Sequence, residues 1–239
     1  MTCDVKRIGL IGGMSWESTA IYYRLLNEIV RERLGGLHSA DIALRSVDFA
    51  PIAELQRADR WDEAGRLLGE ASREIEAAGA EFVLICSNTM HAVTAEIAAS
   101  CSLPMVDIVA ATARAILAAS HSRPLLLATR YTMELPFYAE RMRQDHGIEV
   151  RVPGAGDRAV LQSIIFDELC RGIVSEGSRQ KLMAMIVAAM ADGADSVILG
   201  CTEICLLLDP DGLPCPGFDS TRIHALAAVD RALARDPAP

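Results

Sequence analysis

The sequence predicts an α/β protein made of two pseudosymmetric lobes, each a mostly parallel sheet flanked by helices. The main observation is a pair of similar stretches 114 residues apart, AGAEFVLICSNT at residues 78–89 and DGADSVILGCTE at residues 192–203. Each holds a short apolar run between a glycine and polar residues, which is typical of a strand buried on both faces. A second echo, RIGLIGGMS at 7–15 and RPLLLATRYT at 123–132, recurs at an offset of 116. Internal duplication therefore predicts the two lobes.

Composition narrows the class of protein and its partners. The chain has 239 residues, of which 51% are hydrophobic and only 5% aromatic, as expected for helices packed on aliphatic strands. The net charge of −9 and the lack of a Lys/Arg block argue against nucleic acid and anionic membranes as partners. No apolar run could span a bilayer, and the N-terminus lacks the order of a signal peptide. We therefore expect a cytoplasmic protein with a small-molecule substrate.

The seven cysteines are expected to be reduced thiols, because a cytoplasmic protein rarely carries a disulfide framework. Their spacing is unlike that of zinc fingers, and no metal site is predicted.

The first lobe begins with a strand at 7–12 and a glycine turn. The spacing of Gly9, Gly12 and Gly13 excludes the dinucleotide fingerprint, and the absence of a closing Gly-Lys-Ser/Thr excludes the P-loop. What is left is a turn that lets backbone approach a small ligand or simply joins strand to helix. Ser15 is predicted to cap a helix that runs from about residue 18 to 34. The further predicted elements are a strand at 41–49, helical residues at 51–78, the strand of the first copy, a short helix at 92–99, a strand at 103–109 and a helix at 110–119.

The second lobe is predicted to repeat this order. After the strand that begins near Arg123, the pattern predicts a short strand at 148–152, helices at 158–172 and 176–191, the strand of the second copy, a proline-rich loop and a last helix at 220–235. The last helix is expected to return to the first lobe. The predicted domains are 1–114 plus 216–239, and 115–215.

The two copies align Ser87 with Cys201 at the carboxyl ends of their strands, where open α/β sheets bind ligands. Cys201 precedes a predicted helix start, whose N–H groups and dipole are expected to favour thiolate. Cys86 points to the opposite side of its strand from Ser87 and is expected to pack in the sheet. The other cysteines, Cys3, Cys101, Cys170, Cys205 and Cys215, are interpreted as buried structural residues.

Three motifs resemble the aspartate/glutamate racemase family: IGGMSWEST at 11–19, Ser-Asn-Thr-Met-His at 87–91 after VLIC, and Cys-Thr-Glu at 201–203 after VILG. The resemblance covers essentially the whole chain. It implies two Rossmann-like lobes with the active site between them, a homodimer, and racemisation without pyridoxal phosphate or any other cofactor. Two thiols on opposite faces of the α-carbon would remove and return its proton.

The resemblance also implies roles for individual residues. Cys201 would act on the L-enantiomer, and His91 and Glu203 would tune the thiol or hold the substrate ammonium. Gln56 lies near the place where the family recognises the distal carboxylate, with Arg45, Arg57 and Arg130 as candidate cations. The positions expected to hold the α-carboxylate and amino group are Gly13, Met14, Asn88, Thr89, Thr129, Thr132 and Thr202.

Ser87 departs from the family pattern, which has cysteine there. A hydroxyl is a poor general base near neutral pH, although it can donate a proton or hold a water that does. We therefore expect kinetic asymmetry, with Cys201 abstracting readily and Ser87 working slowly. A hydroxyl at this place and SVDF at 46–49 are similar to the L-aspartate/glutamate-specific subgroup.

Other functions stay open at this point. Related small-acid enzymes include hydantoin racemases, maleate isomerases and decarboxylases of malonate-type acids, the last with a single second-lobe cysteine. A hydrolase would use Cys201 as nucleophile and His91 or His224 as base, which requires a Cys–His hydrogen bond. A non-catalytic protein closing its lobes on a ligand is the third possibility.

Overall fold

The computed structural model describes residues 5–234, so Cys3 and the C-terminal DPAP lie outside the described residues. The chain divides into two compact units. The first contains the residues up to Asp107 and those from His224 onward, and the second is Ile108–Ile223. Within the described residues, no helix has the length and apolar character that crossing a membrane requires.

The unit boundaries differ from the predicted 114/115 and 215/216 because of two helices. Ile108 already begins a helix whose apolar residues belong to the second unit's core. At the other boundary, the last helix starts at Ser220 and only its residues from His224 belong to the first unit.

The first unit is a three-stranded parallel sheet with strand order β2-β1-β3. In the central register, Leu10 lies opposite Leu44 on one side and Leu84 on the other. Its elements are β1 (Ile8–Gly12), α1 (Trp16–Leu34), β2 (Ile42–Ser46), α2 (Phe49–Arg57), α3 (Trp61–Ala77), β3 (Phe82–Ile85), a 3-10 helix (Thr89–Val93) and α4 (Thr94–Ala98).

Both faces of β1 and β3 are buried, as the unbroken apolar runs predict, whereas β2 is partly exposed. Leu10 and Leu84 pack in one cluster with α1, while Ile11, Val83 and Ile85 pack in another with α2 and α3. Successive side chains of a strand point to opposite faces, so each strand feeds both clusters. The last helix contributes four alanine or valine side chains to the first cluster: Ala225, Ala228, Val229 and Ala232.

The second unit is also a three-stranded parallel sheet, with strand order β4-β5-β6 and a single core cluster. Its elements are α5 (Ile108–Ala118), β4 (Pro124–Leu127), α6 (Arg130–Glu134), α7 (Pro136–His146), α8 (Ala155–Ser163), a π-helical turn (Ile164–Glu168), 3-10 helices (Leu169–Arg171, Thr202–Leu206 and Pro210–Gly212), α9 (Glu176–Ala191), β5 (Ser196–Leu199), β6 (Gly217–Asp219) and α10 (Ser220–Leu233).

The internal repeat extends to individual hydrogen bonds. At the start of the first strand of each unit, β1 or β4, an arginine N–H donates to an acidic side chain at 3.0 Å, and the same acidic residue's N–H donates back to the arginine carbonyl at 3.0 Å. At the other end, the N–H of the residue directly after β3 or β5 donates to a carbonyl of β1 or β4 at 2.8–2.9 Å. The pairs are Arg7–Glu81 with Arg123–Asp195, and Cys86–Ile11 with Gly200–Leu127.

Several predicted elements are wrong in detail. The strands predicted at 103–109 and 148–152 are reduced to single bridges, Met105 with Val83 and Arg151 with Leu125. The short strand β6 was missed because a proline-rich segment directly precedes it in the sequence. The helix predicted at 158–172 is α8 followed by π and 3-10 turns that end at Gly172 in the left-handed conformation.

Candidate active site

In the first unit, the Ser87 turn (residues Ser87–His91) follows β3 and holds four of the predicted site residues. Ser87 is half-buried, and its Oγ accepts a hydrogen bond from the Met90 N–H at 3.3 Å. The His91 N–H donates to the Asn88 carbonyl at 3.1 Å. Asn88, Thr89 and His91 are all buried. The turn is therefore a compact 3-10 structure in which the Ser87 hydroxyl satisfies the Met90 N–H.

Two buried histidines lie behind this turn. His91 Nδ1 donates to the Ser87 carbonyl at 2.7 Å, and its ring lies edge-on to the ring of His224 at 5.5 Å. Burial is the main cause that lowers the pKa of His224 to about 3, and the neighbouring His91 lowers it further. His224 is therefore a neutral ring at physiological pH.

The loop after β1 lies beside the Ser87 turn at the same edge of the sheet, since β1 and β3 are parallel neighbours. Ser15 caps α1 by accepting from the Ser18 N–H at 3.2 Å, which confirms the predicted cap. The Gly13 N–H donates to Thr19 Oγ1 at 2.8 Å. Gly13 has a φ of +94°, and a Cβ there would lie 2.1 Å from the Val47 carbonyl oxygen. Glycine is required at this position because backbone packs directly against it.

Gln56 reaches the same region from the last turn of α2. Its side chain is buried, and Nε2 donates to the sulfur of Met90 at 3.0 Å. Met90 belongs to the Ser87 turn, so Gln56 and the turn are held together through this contact.

In the second unit, the Cys201 turn (residues Cys201–Glu203) follows β5, and all three of its residues are buried. The Cys201 thiol donates to Glu203 Oε2 at 2.8 Å. The Thr202 hydroxyl donates to the same oxygen at 2.7 Å. One carboxylate oxygen therefore accepts from both side chains that precede it in the chain.

The ionisation predicted for Cys201 is wrong in direction. Burial, and then the charge and hydrogen bond of Glu203, raise the pKa of the Cys201 thiol well above its ordinary value. The helix that begins at Thr202 is a five-residue 3-10 helix, which is too short to supply the expected dipole. At rest Cys201 is therefore a protonated thiol bonded to a carboxylate.

Thr129 and Thr132 follow β4, the strand next to β5, and so lie at the same sheet edge as the Cys201 turn. Thr129 is the N-cap of α6 and accepts from the Thr132 N–H at 3.4 Å. Their hydroxyl oxygens are 3.1 Å apart, and Thr132 is fully buried.

The candidate cations lie on the surface of their units. Arg45, on β2, pairs with Glu74. Arg57 is exposed at the end of α2. Arg130 is 4.0 Å from Glu134 and lies over the ring of Tyr131.

The remaining cysteines are not uniformly buried. Cys86 has no exposed surface and lies in the first unit's core, and burial raises its pKa, so the prediction that it packs in the sheet is confirmed. Cys170 is exposed, and Cys101, Cys205 and Cys215 are half-buried, so the expectation of burial is wrong for these four.

Sequence reasoning missed the partner of His224. Its Nδ1 lies 2.8 Å from the hydroxyl of Tyr22, and its Nε2 lies 2.7 Å from the Val106 carbonyl. Tyr22 and His224 are 202 positions apart, and no local pattern links them. The hydrolase interpretation needed a histidine bonded to the nucleophile, whereas the Cys201 thiol donates to a carboxylate.

Comparisons with known proteins identify the family of the chain. The family model for Asp/Glu/hydantoin racemases matches residues 11–228. A structure of a candidate Asp/Glu racemase from Yersinia pestis is 48% identical, with a TM-score of 0.91, covering 96% of this chain and 100% of that one.

Two further relatives are more distant. An aspartate racemase homologue from Pyrococcus horikoshii is 32% identical with a TM-score of 0.84, covering 95% of this chain and 99% of that one. The broad specificity amino-acid racemase RacX of Bacillus subtilis is 24% identical over 233 residues, which is 95% of this chain and 98% of RacX. The chain belongs to the Asp/Glu/hydantoin racemase family and is an isomerase of the amino-acid racemase type.

Proposed function

We propose that the protein interconverts the enantiomers of aspartate, glutamate or both without a cofactor, with Cys201 removing the α-proton of the L-enantiomer. The observation that carries this proposal is the 2.8 Å bond from the Cys201 thiol to Glu203. A thiol whose pKa is raised is a poor base alone, but a carboxylate already in contact can take its proton.

Glu203 takes the thiol proton, and the Cys201 thiolate then takes the α-proton, so the electron pair of the C–H bond passes to the α-carbon and its carboxylate. A proton supplied at Ser87, by the hydroxyl or by a water it holds, then adds to the opposite face. Solvent replaces that proton, and Glu203 releases its own.

Ser87 is proposed as the proton donor and not as an efficient base. Its Oγ accepts the Met90 N–H, which draws electron density from the oxygen and leaves its O–H to donate. The enantiomers have equal free energy, so the asymmetry is kinetic: Cys201 exchanges the L-enantiomer quickly, and abstraction from the D-enantiomer is slow.

The substrate-binding roles remain proposals from the resemblance. Hydroxyls, amides and backbone N–H groups are suited to a carboxylate whose charge grows during proton removal. We propose that these groups are supplied by Gly13, Met14, Asn88, Thr89, Thr129, Thr132 and Thr202, with His91 as a support and Gln56 near the distal carboxylate. A cytoplasmic homodimer is part of the same proposal, and sedimentation measures the oligomeric state.

The test is α-proton exchange in D₂O, followed by NMR for L- and D-aspartate and L- and D-glutamate. We expect the α-proton signal of an L-enantiomer to disappear faster than that of its D-enantiomer. Hydantoins, maleate and substituted malonates are run beside them, and turnover of one of these without amino-acid exchange would contradict the proposal. Equal exchange of both enantiomers, abolished by Ser87→Ala, would contradict the asymmetry alone.

A further inference from the structure

Three buried side chains of the first unit contact one another in the order Tyr22, His224, His91. We refer to these three residues as the column. Their exposed fractions are 1%, 0% and 1%. Tyr22 comes from α1, His224 from α10 and His91 from the Ser87 turn. The column therefore connects α1 and α10 to the Ser87 turn.

The partners of each ring decide where its proton sits. A carbonyl oxygen only accepts, so His224 Nε2 donates to Val106 and His224 Nδ1 accepts from the Tyr22 hydroxyl. The same argument places a proton on His91 Nδ1, which donates to the Ser87 carbonyl. The Val106 carbonyl thus selects the tautomer of His224, Tyr22 donates to the other ring nitrogen, and the ring in turn lies against His91.

The hydrogen bond from His91 fixes the orientation of other groups of the Ser87 turn besides the Ser87 carbonyl. The peptide group after Ser87 is planar, so fixing the Ser87 carbonyl also fixes the direction of the Asn88 N–H. The same turn holds the Ser87 hydroxyl through the Met90 N–H. Orientation of the Ser87 carbonyl, the Asn88 N–H and the Ser87 hydroxyl therefore depends on the His91 ring.

The far end of the column is also anchored. Val106, which accepts from His224, donates its own N–H to Val83 of β3 at 2.9 Å. Tyr22 packs among aliphatic residues of the first core cluster. Burying a polar group among aliphatic residues costs free energy unless the group is hydrogen-bonded. An apolar side chain at the same place would need no hydrogen-bond partner.

We propose that Tyr22 and His224 are positioning residues for Ser87, acting through His91, and that they control delivery of the proton to the D-face of the substrate. This inference rests on the proposed function, in which Ser87 serves that face. It predicts that damage to the column affects inversion more than abstraction by Cys201.

The experiment measures two quantities in one sample of L-aspartate in D₂O: deuterium in the recovered L-aspartate, and D-aspartate formed. In Tyr22→Phe, which removes one hydroxyl and keeps the ring, we expect the ratio of D-aspartate formed to L-aspartate exchanged to fall about tenfold, the equivalent of one hydrogen bond. His91→Leu, which removes the donor to Ser87, should lower the ratio at least as much. His91→Asn keeps an N–H donor near the place of Nδ1 and should restore most of it.

Tyr138→Phe is the matched control, because Tyr138 occupies the equivalent position of the repeat in the second unit and is equally buried. Its ratio should equal that of the wild type. A ratio unchanged in Tyr22→Phe and His91→Leu, or lowered equally in Tyr138→Phe, would show that the column has only a packing role.

Two further results separate this inference from the proposed function. If the wild type exchanges no amino acid, the proposed function is wrong. If it exchanges L-aspartate but never forms D-aspartate, the proposed racemisation of aspartate is wrong, whereas D-aspartate formed at an unchanged ratio in the variants overturns only the role of the column. The ¹⁵N resonances of the imidazoles test the geometry without turnover: Tyr22→Phe should shift both His224 and His91, and unchanged resonances would overturn the proposal.

Discussion

The Ser87 turn and the Cys201 turn occupy the same place in two copies of one supersecondary structure, yet their side chains are held in opposite ways. Both follow a buried parallel strand, and in both the preceding residue's N–H donates to a carbonyl of the neighbouring strand, β1 or β4. Ser87 Oγ accepts from backbone, and its carbonyl accepts from a histidine. Cys201 Sγ instead donates to a carboxylate. The repeat therefore places Ser87 and Cys201 at equivalent positions. The side chains and backbone groups around each residue determine whether it donates or accepts a hydrogen bond.

The largest effect is expected from removing the thiol. Cys201→Ser should lower exchange of L-aspartate by about 10³-fold, because a hydroxyl ionises far less readily than a thiol. Ser87→Ala should leave L-exchange within a few-fold and abolish formation of D-aspartate. Cys215→Ser, at a half-buried cysteine outside both turns, is the control. Equal losses in Cys201→Ser and Ser87→Ala would remove the distinction between the turns.

Glu203→Gln should separate proton transfer from thiol ionisation. We expect exchange to fall by about 10²-fold, the contribution of a general base. Burial and Glu203 both raise the pKa of Cys201, so removing the charge should lower that pKa and speed alkylation of Cys201 by iodoacetamide at any pH below it. Alkylation profiles and exchange rates should therefore move in opposite directions. Slower alkylation in Glu203→Gln would contradict the assigned role of the carboxylate.

Gly13→Ala tests the loop of the first unit, where the aligned residue of the second unit is Thr129. The added Cβ would meet the Val47 backbone at 2.1 Å in a left-handed conformation, so we expect a loss of about 2 kcal/mol or more in urea unfolding. Gly156→Ala, in α8 with open space around its Cβ, is the control and should be neutral or slightly stabilising. A Gly13→Ala protein as stable as the wild type would show that the loop backbone can shift to accommodate the added Cβ.

A pH dependence of stability is expected from His224 in the first unit. His224 has a pKa near 3 when folded against 6.5 when unfolded, so the unfolded chain binds the extra proton between these values. The stability that this group contributes is present above pH 6.5 and is lost toward pH 3, by at most about 1.4 kcal/mol per pH unit. His224→Gln should flatten this slope in urea melts, whereas His38→Gln at an exposed position should not. Parallel slopes for wild type and His224→Gln would contradict the buried neutral ring.

Periodicity and repetition were sufficient to predict much of the fold. Buried strands need unbroken apolar runs, so β1, β3, β4 and β5 were recognised from local sequence. Edge segments were predicted poorly, since residues 103–109 and 148–152 have strand-like composition but form only single bridges. The length of an edge strand depends on the backbone partners that the neighbouring strand provides, and the local sequence does not contain that information.

The amino-acid sequence by itself determined the two-unit α/β plan, the alignment of Ser87 with Cys201 and the burial of Cys86, because all three follow from side-chain alternation along repeated strands. Only the tertiary structure decided the protonation of these groups. Cys201 is a thiol with a raised pKa because burial and Glu203 act on it together. His224 is neutral because residues distant in sequence bury it and because His91 lies beside it. Ionisation depends on desolvation and on charges within a few ångströms, and these are properties of the folded neighbourhood.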